Sequence, residues 1–148
     1  KVKLRIAEVL DSVLKLFLRF RYPVSLPGDV IDALGIEVSR SINFQEFLEI
    51  LTSPHCNPKN LSRFMPRRKA EALFTAAVKK ECFRHESLYS YYFHESWVEF
   101  VLHFDQDSRL RRIYIQHKDL SEEEGVELPL RENKVRITSY RSLSYKNS

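Results

Sequence analysis

Midway along this chain the spacing of apolar residues changes from steps of three and four to strict alternation, and that change restricts the fold to helix followed by sheet. In the first half, Val2, Ile6, Val9, Val13, Phe17 and Phe20 recur at helical steps, while Arg5, Glu8, Ser12, Lys15 and Arg19 fill the other side. Leu10, Leu14 and Leu18 widen the stripe, so this helix is expected to lie against two neighbours. Pro23 and Pro27-Gly28 then break the chain, and a short helix fits Asp29–Leu34, closed by Gly35. Asn43 and Glu46 have capping-box spacing, opening a helix that buries Phe44, Phe47, Leu48 and Leu51. Ser53-Pro54 and Asn57-Pro58 end it. Pro66 suits the first turn of a fourth helix, expected to run to about Arg84 with Ala70, Leu73, Phe74, Ala77 and Val78 inward.

The second half reads as strands. Val98, Phe100, Leu102 and Phe104 share one side, and Trp97, Glu99, Val101 and His103 the other. Asp105-Gln106-Asp107-Ser108 is a turn, with the return strand through Leu110, Ile113, Tyr114 and Ile115. Leu88–Phe93 is expected as a preceding strand, Val126–Leu130 and Val135–Tyr140 as weaker ones, and 142–148 as a frayed tail. The expected architecture is one α+β domain over 1–148. A helical amino-terminal half of about four helices (about 1–85) packs on a carboxy-terminal antiparallel β-meander (about 86–141).

Composition narrows the class. With 148 residues, 43% of them hydrophobic and 30% charged, the chain can bury a core and solvate its surface. Two cysteines, Cys56 and Cys82, suggest free thiols in a reducing, intracellular compartment, cytoplasmic or nuclear. No apolar run approaches a membrane span, and Lys1–Arg21 is too charged for a signal peptide. The chain opens on Lys1 with Met65 as its only methionine, so it is expected to be cut from a longer product.

Gly35–Leu51 resembles the end of an EF-hand, but Gly35 and Arg40 stand where an aspartate and the turn glycine belong, so a capped helix is expected. As a helix-turn-helix, the same region would turn Glu46 and Glu49 towards phosphates. His55-Cys56 and Cys82…His85 lack the spacing of a structural zinc site, and no metal or cofactor is expected. The three glycines are too few for a phosphate cradle, and no nucleophile elbow occurs, so no catalytic residue is assigned.

Two features remain. Lys59, Arg63, Arg67, Arg68 and Lys69 form a basic cluster at the fourth helix start, which Arg109, Arg111 and Arg112 would extend if the hairpin lies nearby. Tyr89, Tyr91, Tyr92, Phe93 and Trp97 are the densest aromatic group, with Trp97 facing away from Val98 and Phe100. The expected partner-binding residues are Arg63, Arg67, Arg68, Lys69, Trp97 and Tyr91. The expected function is a non-catalytic interaction domain, an adaptor or chaperone-like subunit, whose partner is another protein. One alternative is a nucleic-acid-binding domain using the basic helix start with aromatic stacking. A second is a small-ligand binder or enzyme. Helices followed by a meander such as Trp97–His117 resemble in layout the cone-shaped domains of the nuclear-transport-factor-2-like group, which implies a pocket lined by His103, His117 or Asp105.

Overall fold

The computed structural model describes residues 9–10, 13–14, 22–94, 96–117, 120 and 125–132. Five antiparallel strands pair in chain order: β1 (Lys79–Cys82), β2 (Glu86–Tyr92), β3 (Trp97–Phe104), β4 (Leu110–Gln116) and β5 (Val126–Glu127). Alternation along β3 sets the two faces. Val98, Phe100, Leu102 and Phe104 are buried on one, as are Tyr89 and Tyr91 of β2 and Ile113 and Ile115 of β4. The β3–β4 turn forms where Asp105 Oδ1 accepts from the amides of Asp107 and Arg109, at 2.9 and 3.0 Å.

Helices α1 (Pro27–Leu34), α2 (Phe44–Thr52) and α3 (Arg67–Ala72) contribute Ile31, Leu34, Phe47, Leu51 and Ala70 to the core on that face. Phe74, just beyond α3, lies on Tyr89 and Phe100 with ring centroids 5.0 and 5.2 Å apart. Each such fully buried side chain stabilises the fold by roughly 1.5–3 kcal/mol. Gly35 ends α1 at φ 79°, and a Cβ there would meet Asn60 Cγ at 2.8 Å. Asn43 caps α2 as its spacing predicts: its Oδ1 accepts from the Glu46 amide at 2.8 Å, and Glu46 reciprocates towards the Asn43 amide.

The helical first half of about four helices is not what forms. Three helices are found among the described residues, and the chain is already strand at Lys79 rather than helical to about Arg84. After Ala72 the amides of Leu73, Phe74 and Ala77 bond three residues back, which tightens and ends the helix. The following strand β1 is exposed at all four positions, so it shows no apolar period. Register with Ser87–Ser90 makes it a strand, and its two lysines suit an open edge.

Of the helix expected over Val2–Phe20, only Val9, Leu10, Val13 and Leu14 are described. They are helical but exposed, where burial against two neighbours was expected. The strand expected at Val126–Leu130 contracts to β5, with the Leu128 amide still bonding Ile113 O. Val135–Tyr140 and 142–148 lie outside the described residues.

Candidate interaction surface

Because the helices feed one face of the sheet, the residues between the core positions make up the other. Cross-strand register lays them out in rows. Glu81, Leu88, Val101, Tyr114 and Glu127 form one row across all five strands, and Lys79, Ser90, Glu99 and Gln116 the next. Glu86, His103 and Arg112 complete the far end. Val101 is 4% exposed, while Leu88, His103 and Tyr114 around it stay half-buried. His103 meets Tyr114 edge-on at 5.4 Å. A shallow depression of about 390 Å³ opens there, lined by Glu86, Val101, His103, Arg112, Tyr114 and Gln116 among others. Among the described residues this face and its depression hold three cations, Lys79, Arg111 and Arg112, against four carboxylates, Glu81, Glu86, Glu99 and Glu127, and Arg111 is paired with Asp105.

One corner of the face is built from rings. Trp97 stands edge-on to Tyr22 at 5.0 Å and to Tyr92 at 5.2 Å, with the Lys79 ammonium 4.9 Å from its ring centroid. Trp97 therefore lies opposite the core face, as its alternation implies, and keeps part of its surface in water. Tyr91 goes the other way. It is 1% exposed and edge-on to Phe100, and burial raises its phenol pKa far above the ordinary value. A partner at the surface does not reach it.

The basic cluster separates into two roles. Arg67, with its side chain 18% exposed, donates to the carbonyls of Phe83 and Arg84 at 2.7 Å each and to Ser87 Oγ at 3.0 Å. Its Nε lies 3.4 Å from Glu71 Oε2, one helical turn on, and the guanidinium sits 4.6 Å above the Phe104 ring. Arg67 thus clasps the β1–β2 turn to α3. Glu71 completes the network by accepting from Ser87 Oγ at 2.5 Å. Burial pushes the Glu71 carboxyl up, but hydrogen bonds from Ser87 and Tyr89 and the Arg67 charge outweigh it and hold the pKa below the ordinary 4.5. The Arg67–Glu71 spacing was a signal in the sequence; the partners on β2 left none.

Arg63 lies beside Glu132, Nε to Oε1 3.3 Å, without hydrogen-bond alignment at Nε. Arg68 and Lys69 are exposed. The hairpin does come close: Pro66 bridges to Arg109, and the Arg67 amide donates to Ser108 O at 2.9 Å, so the first amide of the helix already has an acceptor. A depression of about 400 Å³ there is lined by Arg67, Arg68 and Arg109 against Glu71 and Asp107, with Arg67 held by Glu71. Arg111 turns to Asp105 at 3.1 Å and over Phe64, and Arg112 belongs to the open sheet face.

Other candidates take structural roles. Glu46, in the EF-hand-like stretch, pairs with Arg40 and closes the capping box. No group of three metal-ligating side chains occurs among the described residues. Both cysteines are free, and burial pushes the Cys56 thiol up to about 11. Cys56 borders a depression of about 690 Å³ between α2 and the flanking loops, with Ile36, Val38, Ile42 and Ile50 on its walls. His103, His117 and Asp105 do not line one pocket. His103 faces Tyr114, His117 is buried against Phe44 at 5.3 Å, and Asp105 organises a turn. Comparison with protein-family models, with curated proteins and with solved structures finds no match. No described helix is long and apolar enough to cross a membrane.

Proposed function

We propose that this domain is a non-catalytic interaction module that binds a protein partner on the open face of its sheet. The observation that carries this reading is the make-up of that face. Leu88, Tyr114 and Trp97, half-buried around the buried Val101, offer apolar and aromatic contact on a five-stranded platform, inside a net-acidic set of side chains. Such a surface suits a partner segment with apolar side chains and a surplus of Lys or Arg. The acidic excess opposes phosphate backbones on this face, and Arg67, the best-placed cation of the basic cluster, is committed to the fold. Both points count against the nucleic-acid alternative.

Trp97 is the only tryptophan, so its emission reports this face directly. Peptides selected from a random displayed library against the full chain are expected to be enriched in apolar and basic residues, to shift Trp97 emission, and to lose affinity at least about tenfold against Glu99→Lys with Tyr114→Lys. Selected peptides that bind the double variant equally well would overturn the reading.

A further inference from the structure

The net charge of the chain is concentrated at one end. Lys1, Lys3, Arg5, Lys15, Arg19 and Arg21 stand against Glu8 and Asp11, an excess of four that equals the formal +4 of the whole chain. Residues 22–148 are therefore neutral in sum. The same stretch holds the apolar positions whose three- and four-residue steps predict an amphipathic helix. Four of them are described. Val9, Leu10, Val13 and Leu14 are helical, adjacent on one helix face, and 61, 62, 57 and 55% exposed. None belongs to the core cluster. An aliphatic stripe of this kind gains from any apolar environment that covers it.

We propose that residues 1–21 dock the domain on an anionic lipid surface, with the Val9–Leu14 stripe entering the headgroup–acyl boundary and the basic excess meeting the headgroups. Three observations favour lipid over other occupants. At about 100° per residue, Val9, Leu10, Val13 and Leu14 span about 140° of the helix, a width that a fluid interface covers readily. A second copy would bring two surpluses of four positive charges together, which repels. Nucleic acid would engage the cations and leave the stripe in water. Arg5, Glu8, Asp11, Ser12 and Lys15 interrupt the apolar positions, so the segment lies on a membrane and does not cross it.

The test uses the full chain with phosphatidylcholine vesicles, with and without phosphatidylserine, read by co-sedimentation. It is independent of the sheet face. Binding is expected only with phosphatidylserine present, to weaken as salt rises, and to fall at least about tenfold in Leu10→Asp with Leu14→Asp at an unchanged melting temperature. Failure to sediment with the anionic vesicles, or equal sedimentation by the double variant, would overturn the proposal. So would a lowered melting temperature or an unfolded double variant, since either places the stripe inside the protein. A dimer that the double variant breaks would assign the stripe to a second copy instead.

Discussion

Replacing Arg67 by alanine separates its role as a clasp from a role in binding. The substitution removes bonds to the carbonyls of Phe83 and Arg84, but both residues are exposed and water replaces those donors at small cost. The larger losses lie inward. Glu71 loses its cation while Ser87, 0% exposed, still donates to it, and Phe104 loses the guanidinium 4.6 Å above its ring. A part-buried carboxylate without its counter-charge, together with the lost cation–π contact, costs about 3 kcal/mol. At roughly 2–4 °C per kcal/mol for a chain of this size, the melting temperature drops by about 6–12 °C. The assay is thermal unfolding by circular dichroism at neutral pH, beside Arg68→Ala and Lys69→Ala, whose exposed side chains carry changes within about 0.5 kcal/mol. If Arg67→Ala melts with those two controls, the clasp is refuted.

The Glu71 carboxyl titrates below its ordinary 4.5 in the fold, so its contribution is complete above that pH and is lost as acid carries the pH through the lower folded value. The stability gap between the native chain and Glu71→Gln is therefore expected to shrink below about pH 4.5 in denaturant titrations; a gap independent of pH contradicts this. Asn43→Ala deletes the α2 cap and is expected to cost about 1 kcal/mol, or a melting shift of roughly 2–4 °C, whereas no shift would deny the capping box a stabilising role. With its thiol near 11, Cys56 is about one part in a thousand thiolate at pH 8, so iodoacetamide is expected to label exposed Cys82 well ahead of it, as peptide mass spectrometry would show. Equal labelling would place Cys56 in a different environment.

The parts of the fold that were legible share one property: the signal lay within a few residues of the element it specified. The β3 alternation, the Asp105 turn and the Asn43–Glu46 cap each depend on neighbours in sequence. Strand β1 was not legible, because Lys79–Cys82 buries nothing and is strand only by virtue of its pairing with β2. Arg67 looked like a docking cation since its acceptors at 83, 84 and 87 are distant in the chain. The alternation of β3 already placed Trp97 away from the core, whereas Tyr91, expected at a binding surface, is put in the core by its register opposite Val98. The surplus of carboxylates on that face emerges only when five strands are laid side by side. Arg67→Glu would confound folding with binding, so Arg68→Glu with Lys69→Glu is the cleaner test of the basic cluster.

The most direct measurement is residue-resolved chemical-shift mapping of the full chain with one selected apolar-basic peptide. A docking surface on the open sheet predicts that the largest amide shifts fall at Leu88, Glu99, Val101, His103 and Tyr114, with α1 and α2 unmoved. Shifts concentrated at Arg68, Lys69 and Arg109, or around α2, would contradict it.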